Sequence, residues 1–472
     1  MGIERRFRWF RQDVCDRCGD CFRTCPVLNL TPEAAKADIE ALITGETAKS
    51  AAFRNCTTCN ICDLTCTRGA DPYELILERF GDYQQHHGLP LLAKLIFPNE
   101  PDNLWSGLRV LMADGEISLL RTWEAKLQQP QRQILLTGFY TNIVPYLTGA
   151  GILDELRPFI AGSAGLWGCG GDSTKLGMAP LTGQIVELLE RQFARMGVER
   201  VYCFMEAEAA MLADVLPQRF GARFQFEALP LDYWVLDRLK AVPAGQLEKV
   251  GMKVTVHDNC MSRYLGGHPQ QVIREIVDMC GCNTVEMKHH HCNALCCGWA
   301  ATIPTLYGKG SDNPLGTLVH LLRSLQRRLL EARETGADAI VASCPACYIF
   351  LNLIKELTAA PIAVYHPLEI VQLSTGRKTF QAETTRRTWD VLAVASSLVM
   401  KWFISKQDRQ RFFPGPVDAK EVSSLPQATE EDSRRIRAFR RVYSSALVRN
   451  RLSRGVIGAA ARRAARPRRS LR

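Results

Sequence analysis

The chain has 472 residues, 46% hydrophobic and 23% charged, a globular balance long enough for about three domains. Its 18 cysteines are too few per residue for a disulfide scaffold, and no apolar run is long enough to span a bilayer. The net charge of +10 is uneven: residues 433–472 hold 14 arginines and no acidic residue, which leaves the rest of the chain at −4.

The N-terminal stretch "MGIERRFRWFRQDVC" carries charge but lacks the apolar core of a signal peptide, so a cytoplasmic location is expected. In that reducing compartment, dense Cys-x-x-Cys patterns point to metal or redox chemistry rather than to disulfides. Residues 15–26 read "CDRCGDCFRTCP" and residues 56–66 read "CTTCNICDLTC", each Cys-x-x-Cys-x-x-Cys-x-x-x-Cys. This is the spacing of bacterial two-cluster ferredoxins, in which three close thiolates take one 4Fe-4S cube and the distant cysteine crosses to the other. By that rule one cubane cluster takes Cys15, Cys18, Cys21 and Cys66, and the second takes Cys56, Cys59, Cys62 and Cys25. Zinc is the competing reading of any cysteine quartet, but eight cysteines in two identical patterns favour iron and sulfide. Between the motifs, Thr31 reads as a helix N-cap, Pro32 as the first helical position and Glu33 as a first-turn acid. The linker is expected to be helical, giving a helix-rich ferredoxin domain over residues 1–95 similar to those of fumarate reductase iron–sulfur subunits. A connecting segment, 96–130, follows.

Past residue 130 short apolar runs alternate with helical stretches, an α/β pattern. Strands are expected at "QILLTG" (133–138), "RVYCF" (200–204), "KVTVHD" (253–258) and "AIVAS" (339–343). "FARMGVERVYCFMEAEAAML" from residue 193 aligns with "EARETGADAIVASCPACYIFL" from residue 331, and "LWGCGG" (166–171) with "ALCCGW" (294–299), so the region reads as an internal repeat, 131–245 and 246–380. The second copy supplies Cys260, Cys296, Cys297, Cys344 and Cys347, one thiolate more than tetrahedral zinc can use, which favours a polynuclear centre. The first copy has Phe139, Gly168, Cys169, Cys203 and Glu206 at those places. It is expected to bind no cluster and to serve as packing partner and substrate wall.

A lone Cys, a Cys-Cys-Gly and a Cys-x-x-Cys, preceded by two ferredoxin motifs, resemble the heterodisulfide reductase catalytic-subunit family and its CCG domains over residues 10–378. The resemblance implies an α+β multidomain fold: a helical two-cluster ferredoxin module followed by a pseudo-twofold pair of α/β CCG domains. It also implies one noncubane 4Fe-4S cluster on Cys260, Cys296, Cys297, Cys344 and Cys347. The 46 residues between Cys297 and Cys344 exceed the family's usual spacing, through an insertion around "TIPTLYGKGSDNP". With only one intact half, the chain looks more like the membrane-associated catalytic subunits of sulfur metabolism, such as that of the sulfite-reduction-associated complex. The function so implied is reduction of a disulfide, or oxidation of thiols, with the substrate carried on a small protein. Electrons would be exchanged with a cytochrome b-like or quinone-reactive membrane subunit, placing the chain peripherally on the inner membrane. The alternative is an electron-transfer subunit of a flavin-dependent lactate, glycolate or glycerol 3-phosphate dehydrogenase. That reading requires a separate flavoprotein partner, because no Gly-rich dinucleotide fingerprint follows a strand. No nucleic-acid partner is expected, since no aromatic stacking platform accompanies the arginines.

His257, three residues before Cys260, reads either as a proton donor to a leaving thiolate or as a structural hydrogen bond to the cluster loop. Side chains of the run His289, His290 and His291 diverge on any regular element, which weakens a metal reading; His290 and His291 are kept as candidates for proton transfer or sulfur binding. Cys280, Cys282 and Cys292 are expected in the core or in support of the site, each a possible replacement ligand. His366 opens an amphipathic helix, and Lys309 sits in a Gly-flanked loop open to solvent or to an anionic substrate. Residues 388–405, interrupted by Asp390 and Lys401, are too short and charged to cross a bilayer and read as a core helix or a docking helix. They fall in a helical extension, 381–432, and the arginine-rich tail, 433–472, is expected to be disordered and drawn to anionic surfaces.

Overall fold

The helix Pro32–Ile43 starts where its cap dictates: the Thr31 hydroxyl accepts the Ala34 N–H, Pro32 occupies the first position and Glu33 faces the N-terminal dipole. The computed structural model describes residues 9–98, 100–126, 130, 132–156, 168–243, 245–308, 314–407, 410–415 and 427–455. Around that helix, short helices Asp20–Arg23 and Ile61–Thr65 each end a cysteine motif, and helices Ala51–Asn55 and Pro72–His87 complete a helical N-terminal unit. The buried Asp38 carboxylate ties the linker down by accepting the Ala51 and Ala52 N–H groups at 3.1 and 3.0 Å.

Strand β1 (Leu89–Pro90) leads into helices Leu104–Arg109 and Asp114–Lys126. Two parallel sheets follow. The first has order β2 (Gln133–Leu136), β3 (Arg200–Cys203), β4 (Glu227–Pro230), with Ile134 opposite Val201 and Val201 opposite Ala228. The second joins β5 (Lys253–Val256), β6 (Asn283–Thr284), β7 (Ala339–Val341) and β8 (Ala363–Tyr365) in the order β6-β5-β7-β8. The architecture is α+β, with helices surrounding small sheets. All four expected strands are present; β4, β6 and β8 were missed because two to four residues are too short to display an alternating or continuous apolar pattern. β9 (Arg411–Phe412) returns to pair antiparallel with β1.

The helical unit docks on the sheets through a close approach of two glycines. A Cβ on Gly81 would lie 2.6 Å from the Gly177 carbonyl oxygen, so only glycine allows the helix Pro72–His87 to sit there. Beside it Phe80 stacks on Tyr307 at 4.3 Å, and the Tyr307 hydroxyl donates to the Leu176 carbonyl at 2.8 Å. Burying Phe80 completely contributes about 1.5–3 kcal/mol to this junction.

The C-terminal region corrects one expectation. Residues 388–405 fall almost entirely within the 24-residue helix Gln381–Ile404, which buries Trp389, Val394, Leu398 and Trp402. Its charges are paired: Asp390 faces Arg440 at 3.1 Å, and Lys401 bridges Asp102 and Asp432 at 2.7 and 3.1 Å. The start of the arginine-rich segment is ordered rather than disordered, as helices Glu430–Ser444 and Ala446–Arg454, the first packed on that long helix. Thr429 caps the first of them, three acids occupy its first turn, Ile436 is fully buried, and the Arg449 guanidinium lies 5.0 Å over Trp389. Arginine content misled because these side chains find acidic and aromatic partners across the helix junction. Residues 456–472 and Lys309 lie outside the described residues. No helix among the described residues is long and apolar enough to cross a membrane.

Candidate metal centre

Both ferredoxin-type motifs bend in the same way. The residues two and four positions after the first cysteine are left-handed: Arg17 and Gly19 in one motif, Thr58 and Asn60 in the other. That alternation curls the backbone, gathers three thiols and turns N–H groups inward, as a nest does. The Thr58 N–H points at the Cys56 sulfur at 3.3 Å, and the Ala70 N–H at the Cys66 sulfur at 3.4 Å. The cysteines then segregate crosswise. After burial, the groups that push the Cys21 thiol up are Cys66, Cys18 and Cys15, whereas Cys25, pushed up to about 11 by burial, has Cys59 as its thiol neighbour. Cys56 and Cys62 complete that second set.

In the second α/β unit the thiols collect at the carboxyl ends of β5 and β7, where open parallel sheets present their sites. Cys260 opens a short helix capped by Asn259, whose side-chain oxygen accepts the Met261 N–H at 2.7 Å. Cys344 is the N-cap of the helix Pro345–Thr358, so Cys344 and Cys347 lie at its positive end. Cys296 and Cys297 precede Gly298, whose left-handed turn leaves no room for a Cβ against Leu325. All five line one cavity of about 70 Å³. Donor atoms of His257, Cys297 and Cys347 fall within 4.8 Å of one another. Hydrogen bonds from Cys296, Cys347 and His257 hold the Cys297 thiol well below its usual range despite burial.

His257 is buried and neutral, its pKa lowered by burial. The Arg328 Nε–H donates to its Nδ1 at 3.2 Å, which leaves Nε2–H as the group that meets the Cys297 sulfur. Arg328 is itself fixed by the His289 carbonyl at 2.9 Å and by Glu331. A second buried cation, Arg263, joins the two thiol regions. It donates to the Cys59 carbonyl at 2.9 Å and the Cys260 carbonyl at 3.1 Å, and also to the carbonyls of Cys292 and Ala294.

The first α/β unit forms the opposite wall of the cavity with Tyr140, Cys169, Asp172, Lys175, Met205 and Glu208. The Lys175 ammonium stands 3.5 Å from the Cys260 sulfur; burial disfavours its charge, but the Cys260 and Cys296 sulfurs outweigh that and raise its pKa. Burial pushes the Asp172 and Glu208 carboxyls up, favouring their protonated forms, and Glu208 Oε2 has no hydrogen-bond partner. Glu206 accepts a hydrogen bond from Ser343, beside Cys344.

The structure thus brings together the thirteen expected cysteines and His257, but not the other two histidines. His290 and His291 hydrogen-bond each other at 2.6 Å beside Glu286 and are absent from the cavity wall, because the His291 N–H is claimed by Asp258. Cys280 and Cys282 are buried against each other and Ser374, Cys292 is exposed, and His366 caps its helix while bonding the Ser343 carbonyl. Lys175, Glu208, Arg263 and Arg328 were not foreseen. Each is a single polar residue on an ordinary helix or loop, and its function arises from long-range packing.

All 18 cysteines are unpaired thiols, and the donor sets fit iron–sulfur groups: four, four and five sulfurs, nearly all buried or half-buried, that metal binding would deprotonate. Comparison with known proteins agrees. Residues 14–71 match the 4Fe-4S dicluster domain, and residues 254–352 match the cysteine-rich CCG domain. The chain is similar to the D-type subunit of the dihydromethanophenazine:CoB–CoM heterodisulfide reductase of Methanosarcina barkeri, 22% identical over 424 residues that cover 78% of this chain and 95% of that protein. It is also similar to the corresponding protein of Methanosarcina mazei, 24% identical over 417 residues, 78% and 95% of the two chains. The chain is a CCG-domain iron–sulfur protein of the heterodisulfide reductase type.

Proposed function

We propose that this chain is an oxidoreductase subunit that reduces a disulfide, or oxidises two thiols, at the five-cysteine cavity. The observation that carries the reading is the Arg263 bridge, which ties the loop of Cys59 to the loop of Cys260 and gives electrons a short route from the ferredoxin-type sets to the cavity. Cys15, Cys18, Cys21 and Cys66 would hold one cubane 4Fe-4S cluster, Cys56, Cys59, Cys62 and Cys25 a second, and Cys260, Cys296, Cys297, Cys344 and Cys347 a noncubane 4Fe-4S cluster. When bound, these groups supply single-electron transfer.

The net reaction, R–S–S–R′ + 2e⁻ + 2H⁺ → RSH + R′SH, also needs protons and a place for negative sulfur. Lys175, at the Cys260 sulfur, offsets developing thiolate charge. Glu208 and Asp172 hold protons at carboxyl groups facing the cavity, and Glu208 Oε2 is free to donate. His257 Nε2–H steadies the Cys297 sulfur. Met205, Met261 and Ala300 line the same cavity and limit water. The matching order of the two sheets, β2-β3-β4 and β5-β7-β8, supports a pseudo-twofold pair in which the first member has exchanged its cluster for proton donors. The relatives' name supports a membrane electron partner, which we take to be a cytochrome b-like, quinone-linked protein, with a sulfur compound or a small disulfide protein as substrate.

The test is anaerobic EPR with iron and sulfide analysis before and after thiol oxidation. About twelve irons per chain and an oxidation-induced signal that shifts with added thiol are expected. About eight irons with reduced-ferredoxin signals alone would reduce the chain to an electron-transfer role.

A further inference from the structure

A second cavity, of about 260 Å³, adjoins the thiol cavity and shares Asp172 and Trp299 with it. Its walls come from four places: the turn Leu91–Ile96, the segment Ala300–Leu306, the helix Pro314–Glu334 and the inner face of the helix Gln381–Ile404. Nearly every lining side chain is apolar, among them Leu92, Ile96, Ile303, Leu321, Phe350 and Val391. The hydroxyls of Thr302 and Ser396 are already engaged by the Trp299 carbonyl and Tyr443. An engineered apolar cavity of about 150 Å³ suffices to bind benzene or xenon, so this volume accommodates a larger apolar ligand.

The two ends of the cavity differ. The inner end presents the Trp299 and Phe350 rings, stacked at 4.6 Å, beside Asp172 and the Tyr140 hydroxyl bonded to it at 2.9 Å. No lysine, arginine or histidine lines the cavity among the described residues; Lys175 stands on the thiol side, at Cys260. That end suits a flat, uncharged, hydrogen-bonding head and rejects a carboxylate or phosphate. The outer end is rimmed by exposed apolar side chains. Leu318, itself a wall residue, is 38% exposed, and beyond the wall residue Val399 come Met400, Phe403 and Ile404, the last two 68% and 70% exposed. The arginine-bearing helix Glu430–Ser444 packs on the same long helix and exposes Arg434, Arg437 and Arg441. Exposed apolar tips next to arginines are what an anionic bilayer surface attracts.

We infer that this cavity takes the apolar tail of a membrane-dissolved quinone, with the neutral ring lodged at Asp172 and Trp299 beside the thiol cavity. The binding itself does not depend on disulfide reduction by this chain, so it can be tested separately.

The experiment is anaerobic isothermal titration calorimetry of the cluster-loaded full chain with a decyl-tailed quinone, the tail-less parent quinone, decanol and decanoate. Saturable one-to-one binding of the decyl quinone is expected, at least tenfold tighter than that of the other three. Ala395→Trp, which fills the lumen, is expected to weaken it at least tenfold; Val399→Trp, nearer the mouth, repeats the test should the first variant fold poorly. Equal binding of the tail-less quinone, or binding untouched in a folded variant, would overturn the tail site. Decanoate or decanol binding as tightly as the quinone would overturn the assignment of the head. Absence of saturable binding would overturn the proposal outright.

Discussion

Replacing Arg274 by methionine would leave the Asp258 carboxylate in place without its two guanidinium donors. Asp258 lies between His257 and the Cys260 loop, is fully buried, and accepts from Arg274 at 2.8 and 3.0 Å and from the His291 N–H. Breaking a buried ion pair from one side costs about 3–5 kcal/mol, because the remaining charge is desolvated and unpaired. The Arg274–Glu286 contact adds little, since Glu286 is one-third exposed. Arg274→Met should therefore lower the thermal midpoint by roughly 10 °C for a cooperative unit of this size. Adding Asp258→Asn should recover most of the loss, because no charge is then left buried. The pH dependence follows from the direction of the shift. Burial raises the Asp258 pKa, but the Arg274 hydrogen bonds and charge outweigh it and leave the folded value below the ordinary one. The contribution is thus fully present above the unfolded value of about 3.9 and lost as pH falls through the folded value. Thermal denaturation followed by circular dichroism, at pH 7 and in steps down to pH 4 and below, measures both. A loss below about 1 kcal/mol at pH 7, or an unimproved double variant, would refute this account of the loop.

Three further substitutions separate the roles of the site residues. Cys66→Ser should deplete the set with Cys15, Cys18 and Cys21, and Cys25→Ser the set with Cys56, Cys59 and Cys62, each losing about four irons and one of two reduced EPR signals; the opposite assignment would mean the motifs do not cross. His257→Phe removes a hydrogen bond to the Cys297 sulfur and should lower the potential of the CCG-domain centre by about 50–100 mV in an anaerobic redox titration, while an unchanged potential would leave His257 a merely structural residue. Glu208→Gln keeps the shape of the side chain but removes its proton, and should reduce kcat for disulfide reduction about 100-fold with iron content unchanged; full activity would transfer the proton donor's role to Asp172.

The ferredoxin-type sets were legible because their geometry is local. Cysteine spacing, left-handed positions at Arg17, Gly19, Thr58 and Asn60, and a capped helix between the motifs act within a few residues, where sequence and backbone correspond directly. The five CCG-domain cysteines were legible through the repeat, since strands β5 and β7 deliver Cys260, Cys344 and Cys347 at their ends whatever the intervening length. The arginine-rich segment was misread because composition cannot reveal that Asp390 and Trp389, some fifty residues earlier, wait to pair with Arg440 and Arg449.

By itself the sequence determined which thiols are available, how they group and which strands carry them, all consequences of spacing along one chain. Tertiary structure alone decided that Arg263 spans from the Cys59 carbonyl to the Cys260 carbonyl, that Lys175 and Glu208 of the first sheet unit face the cysteines of the second, and that an apolar cavity opens beside them. These contacts join residues as far as 204 positions apart. Their partners are selected by the packing of whole units against one another, which no local pattern of charge or hydrophobicity encodes.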